Sequence, residues 1–185
     1  MTIKGDLYKS IIGPAVATFI LLLVPLIAMQ FSNEVKWTVF DFIVAAILLF
    51  GTGLSYKLLT AAAKSLTHKA AIIVALGSSL FLIWANLAVG ITGSENNPVN
   101  LLYFGVITIG IIGSFISRFR PRGLSFTLFL MAAAIGLIAA GILIYIFSQN
   151  NDFALIDTIR FLGVHGLFIA LFLTSALLFR RAAKV

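Results

Sequence analysis

Residues 124–147 read LSFTLFLMAAAIGLIAAGILIYIF, a run of 24 residues without a charged side chain. As an α-helix with a rise of about 1.5 Å per residue, this run is long enough to cross ~30 Å of hydrocarbon. The same criterion predicts six transmembrane helices, near Ile11–Gln30, Thr38–Tyr56, Ala70–Ile91, Asn100–Ser117, Leu124–Phe147 and Phe161–Phe179. The predicted fold is all-α, a polytopic membrane helix bundle in which residues 1–185 form a single transmembrane domain.

The composition is that of a membrane protein rather than that of a soluble domain. Hydrophobic residues make up 61% of the chain and charged residues 10%, and the mean hydropathy is +1.13. A soluble domain of 185 residues cannot enclose so much apolar surface, so a bilayer must cover the rest. The chain has no cysteine, which excludes disulfides, thiolate chemistry, cysteine-ligated zinc and iron–sulfur clusters.

The formal charge of +7 is distributed as the positive-inside rule describes. If the N-terminus is cytoplasmic, eleven of the thirteen basic residues fall in cytoplasmic segments: Lys4, Lys9, Lys57, Lys64, Lys69, Arg118, Arg120, Arg122, Arg180, Arg181 and Lys184. Only Lys36 and Arg160 fall on the opposite side, together with most of the acidic residues. This distribution argues against a nucleic acid partner and predicts that both termini are cytoplasmic.

The first apolar run follows a basic start, as the hydrophobic region of a cleaved secretory signal also does. Ile11–Gln30 is longer than a typical signal region, and the sequence LIAMQF at its end has no small residues in an A-x-A arrangement. We therefore expect this run to be retained as the first transmembrane helix.

Small residues cluster on three of the predicted helices, where they let helix backbones approach closely in lipid. They are Gly51, Gly53 and Ser55 in the second helix, Gly105, Gly110, Gly113 and Ser114 in the fourth, and Gly136, Ala140 and Gly141 in the fifth. This clustering predicts tight helix packing, and it carries no information about the purpose of the bundle.

Polar residues inside the apolar runs are the best pointers to function, because polar groups are costly in hydrocarbon. Asp41, Asn86 and His165 lie on three different predicted helices, each roughly 6 to 9 Å below the same membrane surface. The polar hairpin GSENNPVNLLYFG, residues 93–105, lies directly above this layer. We therefore predict an outward-facing polar pocket whose ligand-binding residues are Asp41, Asn86, Glu95, Asn97, Asn100, Tyr103, Arg160 and His165.

Two interpretations of this polar layer stay open. In the first, Asp41 and Glu95 accept hydrogen bonds from a ligand and His165 is a proton-responsive group. In the second, Asp41 and Arg160 form an interfacial ion pair, Asn86 bonds a neighbouring helix, and SENNP is only a turn. The second interpretation needs no ligand at all.

The spacing of the polar residues assigns no catalytic group and no metal site. His165 has no serine or threonine at one-turn spacing for nucleophilic catalysis, and Asp41, Glu95 and His165 would supply metal ligands only if the fold converged them. A haem held by two histidines is disfavoured, since His68 and His165 are predicted at opposite membrane faces. A quinone site using His165 and Tyr103 stays open, and no cofactor is assigned.

Five sequence elements carry a resemblance to a known family. They are WANLAVGITGSENNPVNLLYFG at residues 84–105, RFRP at 118–121, Asp41–Phe42, GLSY at 53–56 and LLFRRAA at 177–183. Through them the chain resembles, over most of its length, a family of small bacterial multi-pass inner-membrane proteins of unknown function. The resemblance implies the bacterial inner membrane and implies no activity.

The leading functional hypothesis is an integral inner-membrane protein that binds or passes a small solute at a periplasm-facing polar pocket. The alternative is a non-catalytic accessory or assembly subunit that docks a larger membrane complex through glycine faces such as Gly110 and Gly113. The sequence favours a non-enzymatic role. The expected partners are the lipid bilayer and a small-molecule ligand, with a homo-oligomer or a larger membrane complex left open and nucleic acid excluded.

Overall fold

The protein is described by a computed structural model covering residues 3–32, 34–94, 96–149 and 155–184. These residues form α-helices and one 3-10 turn, and no strand occurs among them. The helices are α1 (Ile3–Phe31), α2 (Val39–Ala61), α3 (Leu66–Ala88), α4 (Leu101–Ile116), α5 (Pro121–Ser148) and α6 (Leu155–Ala182), with the 3-10 turn at Pro98–Asn100 preceding α4. The predicted all-helical fold is confirmed.

Each of the six helices, with α4 counted together with its preceding 3-10 turn, contributes a segment long and apolar enough to cross a membrane. These segments contain 19 to 28 residues, and their most apolar windows have mean hydropathies between 1.9 and 2.5. The predicted number of membrane-length helices is therefore confirmed, as expected for a multi-pass membrane protein.

The helix ends differ from the predicted ends where local backbone chemistry decides them. α3 ends at Ala88 rather than at Ile91, because Gly90 adopts φ +71°, a left-handed conformation that an α-helix cannot continue through. α2 extends to Ala61, beyond the apolar run, because no glycine or proline interrupts it there. Hydropathy predicts which part of a helix crosses the hydrocarbon, and it does not predict the residues at which the helix begins and ends.

α1 and α2 form one compact unit, and α3 to α6 form another. Within the first unit, Gly53 of α2 lies against Pro14 of α1, where a Cβ on the glycine would come within 3.1 Å of the proline Cβ. The missing side chain therefore permits close approach of the two helices. α2 begins with a capping box in which Thr38 and Asp41 exchange hydrogen bonds.

In the second unit, α6 packs against both α3 and α5, and α4 packs mainly against α5. Two buried serines tie these helices together. Ser175 of α6 donates a hydrogen bond of 2.8 Å to the main-chain oxygen of Ala71 in α3, and Ser125 of α5 donates one of 2.7 Å to that of Ala176 in α6. Hydrophobicity does not drive helices together in lipid, so interhelical hydrogen bonds of this kind help to fix how the helices pack.

α4 and α5 meet through glycines of α4. A Cβ on Gly110 would come within 2.8 Å of the Met131 sulfur, and a Cβ on Gly113 would collide with the side chain of Thr127. The predicted tight packing therefore occurs here, inside the second unit. Gly110 and Gly113 are half-buried against α5, and docking of a larger membrane complex through such glycine faces stays a prediction.

Candidate functional site

A short segment lies between α3 and α4, and we call its described residues, 89–94, 96 and 97, the asparagine loop. Gly90 and Gly93 both adopt left-handed backbone conformations, with φ +71° and +74°, and reverse the chain direction. Asn97 then caps the 3-10 turn, because its Oδ1 accepts the Val99 N–H at 3.0 Å. Pro98 follows at the first position of that turn, where its missing N–H costs nothing.

One buried side chain holds the asparagine loop against α4. The Oδ1 atom of Asn100 accepts a hydrogen bond of 2.9 Å from the Thr92 N–H, and its Nδ2 donates one of 2.7 Å to the Ser94 oxygen. Asn100 is only 4% exposed, so these bonds replace water that the carboxamide has lost. Gly90 is part of the same arrangement, because a Cβ there would come within 2.6 Å of Asn100 Nδ2.

Asn86, near the end of α3, reaches the same position from the helix side. Its Nδ2 donates a hydrogen bond of 2.9 Å to the main-chain oxygen of Asn100. That oxygen can only accept, so the bond fixes the orientation of the Asn86 carboxamide. Asn86 is 4% exposed, and its Oδ1 has no hydrogen-bond partner among the described residues. A buried acceptor without a donor is an unusual feature that calls for an explanation.

Behind the asparagine loop, a chain of hydrogen bonds leads into the core. Thr92 Oγ1 lies 2.8 Å from Tyr103 Oη, which lies 2.6 Å from His165 Nε2, and His165 Nδ1 lies 2.7 Å from the Phe161 oxygen. Because a carbonyl only accepts, Nδ1 carries the proton towards Phe161. In a neutral ring Nε2 then accepts from Tyr103, and the Tyr103 oxygen accepts from Thr92.

Tyr103 and His165 are almost completely enclosed, at 1% and 2% exposure. The rings of Phe161 and His165 lie 4.0 Å apart between centroids, and the two residues are one helical turn apart on α6. The polar side-chain atoms of Tyr103 and His165 are therefore satisfied by each other, by Thr92 and by the Phe161 oxygen. A quinone at this position would have to displace one of these bonds.

A cavity of about 430 Å³ opens beside the asparagine loop. Its described lining residues are Asn86, Leu87, Asn96, Asn97, Pro98, Asn100, Leu101 and Phe104, none of which carries a charge. Asn86 and Asn100 are the most buried of these, at 4% exposure each, whereas Leu101 is 68% exposed. The two buried asparagines thus form the floor of the cavity and the apolar residues form much of its rim.

The structure brings together five of the eight predicted site residues. Asn86, Asn97 and Asn100 line the cavity, while Tyr103 and His165 lie in the hydrogen-bond chain that starts at Thr92 of the asparagine loop. This grouping uses only residues of the second compact unit. It resembles the predicted pocket in its asparagines and differs from it in having no described charged group.

The three remaining predicted residues are placed differently. Asp41 belongs to the first unit, and its Oδ2 accepts hydrogen bonds of 2.6 and 2.8 Å from the N–H and the hydroxyl of Thr38. Arg160 is exposed and lies 3.8 Å from Asp157, one turn earlier on α6. Glu95 lies outside the described residues. Asp41 and Arg160 therefore each interact with a residue three positions away in the sequence, and neither contact needs a shared pocket.

Sequence reasoning missed Thr92, whose main-chain N–H and hydroxyl both bond buried side chains. A threonine in a polar hairpin carries no distinguishing signal by itself. The glycines on either side of Thr92, at positions 90 and 93, were the available signal, since paired glycines indicate a tight reversal that points the intervening residue inward.

The described residues contain no group of three or more histidine, aspartate or glutamate side chains that could hold a metal ion. Comparison of the chain with protein-family models, with functionally curated proteins and with solved structures finds no significant match. The family resemblance of the sequence elements therefore stays an expectation. What the protein does has to be argued from the cavity itself.

Proposed function

We propose that this multi-pass membrane protein binds a small polar solute in the cavity between Asn86 and the asparagine loop. In this proposal the protein lies in the bacterial inner membrane, with both termini cytoplasmic and the cavity facing the periplasm. The solute is held without covalent chemistry, either as a binding event or as a step of passage.

The observation that carries this proposal is the cavity itself, whose lining includes the side chains of Asn86 and Asn100. Both residues are 4% exposed, and hydrogen bonds hold both carboxamides in place. The polar part of the lining is therefore fixed beside apolar residues.

The dimensions and lining of the cavity fit a small molecule. A volume of about 430 Å³ lies within the ~300–1,000 Å³ typical of small-molecule sites. Such sites combine apolar walls with a few fixed polar groups, as Leu101 and Phe104 combine here with Asn86 and Asn100. The Asn100 bonds to Thr92 and Ser94 hold the polar part in place before a solute arrives.

The orientation in the membrane is supported by the distribution of basic residues. The connection between α4 and α5 contains Arg118 and Arg120, whereas the described part of the asparagine loop contains no basic residue. Successive connections between spanning helices lie on alternate sides of a membrane. The positive-inside rule then puts the arginine connection in the cytoplasm and the asparagine loop in the periplasm.

Native mass spectrometry of the protein extracted from its own membrane in mild detergent tests this proposal. We expect a small bound mass that is lost from the Leu101→Trp variant, in which the larger side chain fills the cavity from its rim. Leu102→Trp is the matched control, because Leu102 is its neighbour, is also exposed at 52%, and does not line the cavity.

Two results would contradict the proposal. A bound mass that both tryptophan variants retain would be bound elsewhere. A stoichiometric larger protein partner, with no small mass, would instead identify an accessory subunit of a membrane complex.

A further inference from the structure

The positive charge of the second compact unit is concentrated in a few places along the chain. Residues 64–185 contain nine lysines and arginines, and eight of them lie in or beside the α2–α3 connection, the α4–α5 connection and the end of α6. These eight are Lys64, Lys69, Arg118, Arg120, Arg122, Arg180, Arg181 and Lys184, and all are exposed. The acidic residues of the same range, Glu95, Asp152 and Asp157, lie in or beside the α3–α4 and α5–α6 connections.

Contacts between the helices put the eight basic residues at one end of the unit. Ser125, near the start of α5, bonds the main-chain oxygen of Ala176, near the end of α6, so these two helices are antiparallel. The ring of His68, near the start of α3, lies 5.6 Å from the ring of Phe179 in α6. α4 reaches the same end through its short connection to α5. Residues 64–185 therefore supply no acidic neighbour for this basic end.

The connection between α4 and α5 has an unusual backbone, and we call residues 117–123 the arginine turn. Arg118 and Phe119 adopt φ +52° and +56°, left-handed conformations for which glycine or asparagine is preferred after a helix. The Phe119 N–H donates a hydrogen bond of 3.0 Å to the Ser114 oxygen, and the rings of Phe115 and Phe119 lie 5.3 Å apart. Main-chain bonds and phenylalanine rings thus hold the turn without using an arginine side chain.

The arginine side chains of this turn need an explanation of their own. Glycine at position 118 would avoid the steric cost of a left-handed backbone, so the backbone gives no reason for an arginine there. The side chains of Arg118, Arg120 and Arg122 form no hydrogen bond or ion pair with any described residue. An unfavourable backbone conformation that is kept without an internal contact indicates that the side chain has a function.

The depth of the arginine turn decides which anion these side chains meet. The membrane-length segments Pro98–Ile116 and Pro121–Ser148 end and begin at the turn, and Arg180 and Arg181 lie in the last turn of α6. The arginines are therefore within a few ångströms of the hydrocarbon boundary. Phosphate groups of lipids lie at this depth, and a guanidinium group forms paired hydrogen bonds with phosphate.

We propose that the arginine turn binds the phosphate headgroup of an anionic phospholipid, with Arg180 and Arg181 adding positive charge at the same end of the unit. A zwitterionic phospholipid carries the same phosphate, but the basic residues repel its ammonium group. This surface is separate from the cavity beside the asparagine loop, which lies at the opposite end of α4. The inference does not rest on the proposed function.

Lipid titration of the full chain tests this inference. The protein is delipidated in a mild nonionic detergent and titrated with phosphatidylglycerol or phosphatidylcholine of identical acyl chains, and native mass spectrometry counts the bound lipids. One variant replaces the three arginines of the turn, as Arg118→Gln, Arg120→Gln and Arg122→Gln. The matched control removes three charges from the same end, as Lys64→Gln, Lys69→Gln and Lys184→Gln.

We expect the wild type to bind phosphatidylglycerol about tenfold more tightly than phosphatidylcholine. The arginine variant should lose this preference, and the lysine variant should keep it. A third variant replaces the same three arginines by lysine, which keeps the charge and therefore the topology. It should retain about a third of the preference, because an ammonium group cannot form the paired bonds. If the glutamine variant of the turn does not fold, this third variant decides the inference.

Arg118→Gly tests whether the arginine is kept against the preference of the backbone. Without added lipid, we expect this variant to unfold at a higher temperature than the wild type, because glycine accepts the left-handed conformation. Saturating phosphatidylglycerol should stabilise the wild type more than the variant. Arg118→Gln is the control, since it loses the charge and keeps the unfavourable backbone. Equal stabilisation of wild type and Arg118→Gly by this lipid would contradict the role of Arg118.

Three further outcomes would overturn the inference. Equal binding of the two lipids by the wild type would show that the turn does not select an anionic headgroup. Equal losses in the arginine and lysine variants would show attraction by net charge rather than binding at the turn. Displacement of the lipid by millimolar inorganic phosphate would identify a soluble anion as the ligand. Leu101→Trp should bind phosphatidylglycerol as the wild type does, so failure here leaves the cavity proposal standing.

Discussion

At the scale of single residues, Tyr103 is the side chain whose hydroxyl connects the asparagine loop to the core. Its oxygen lies 2.8 Å from Thr92 Oγ1 and 2.6 Å from His165 Nε2. A hydroxyl both donates and accepts, so it is the group that can satisfy both neighbours at once. No other residue type of this shape offers that combination.

We predict that Tyr103→Phe destabilises the protein by about 1–3 kcal/mol, because it leaves His165 Nε2 and the Thr92 hydroxyl without their partner. The measurement is the free energy of unfolding in mixed detergent micelles. Tyr145→Phe is the control, since Tyr145 is 65% exposed on α5. Equal effects of the two substitutions would show that the hydrogen-bond chain does not contribute to stability.

Gly90 and Gly93 share a left-handed backbone and differ in the space around them. At Gly90 an added Cβ would lie 2.6 Å from Asn100 Nδ2 and from the Ser94 oxygen, whereas at Gly93 the nearest atom is Asn97 Nδ2 at 3.6 Å. Substitution of Gly93 therefore tests backbone strain alone, whereas substitution of Gly90 tests backbone strain together with a steric clash.

We predict that Gly93→Ala costs about 1–2 kcal/mol from the left-handed conformation alone, and that Gly90→Ala costs more because Asn100 must also move. Gly77→Ala, within α3 and with nothing near its Cβ, should be close to neutral. Unfolding free energies of the three variants check this order. A smaller loss of unfolding free energy at Gly90 than at Gly93 would contradict the conclusion that Asn100 holds the asparagine loop in place.

At the scale of helices, the α4–α5 contact depends on how readily the opposing side chain can move. Gly113 faces Thr127, a β-branched side chain whose hydroxyl also bonds the Gly123 oxygen at 3.1 Å. Gly110 faces the flexible thioether of Met131. β-branched residues have few rotamers available, whereas methionine adapts to its surroundings.

We predict that Gly113→Ala destabilises the α4–α5 contact by about 1–3 kcal/mol and that Gly110→Ala costs less, because Met131 can shift. Gly105→Ala, on the same helix with nothing within 4 Å of its Cβ, is the control and should have little effect. Thermal unfolding of the three variants in one detergent tests the ranking. Similar costs at all three positions would mean that α4 is not held closely to α5.

The helices show where reasoning from the sequence succeeds and where it stops. Long uncharged runs suffice to predict six membrane-length helices, because hydrocarbon leaves few alternatives for the backbone. The end of α3 depends on the conformation of Gly90, which hydropathy does not encode. Depth alone assigns Asp41 to a pocket, although the local pattern Thr38-x-x-Asp41 is the arrangement that a capping box requires.

The predicted depth of a residue below the membrane surface is a better guide to the candidate site than to the role of Asp41. It places Asn86 and His165 in one layer with Asp41, and the structure joins Asn86 to Asn100 and His165 to Tyr103. It could not predict which polar atoms would satisfy each other and which would stay unpaired. That distinction depends on distances of a few tenths of an ångström between helices that are far apart in sequence.

At the scale of the whole molecule, the proposed topology assigns each connection between helices to one side of the membrane. The chain has no cysteine, so single cysteines report accessibility without background. Asn96 in the asparagine loop, Lys64 before α3 and Arg120 before α5 are all exposed positions. They sample three successive connections of the chain.

We predict that a membrane-impermeant thiol reagent labels Asn96→Cys in intact spheroplasts, and labels Lys64→Cys and Arg120→Cys only after the membrane is permeabilised. The reason is the concentration of basic residues in and beside the α2–α3 and α4–α5 connections. The inverse labelling pattern would overturn the periplasmic placement of the cavity while leaving the helices unchanged.

The proton position on His165 makes this residue a spectroscopic reporter. The chain has two histidines, so nitrogen NMR of histidine-labelled protein contains two imidazole ring systems. Phe161 holds the proton on Nδ1 of His165, which leaves Nε2 as the nitrogen whose chemical shift senses Tyr103. Movement of Thr92 with the asparagine loop changes the hydrogen bonding of that tyrosine. A single resonance in the protein core would therefore report, in real time, whether the bond between Thr92 and Tyr103 is kept.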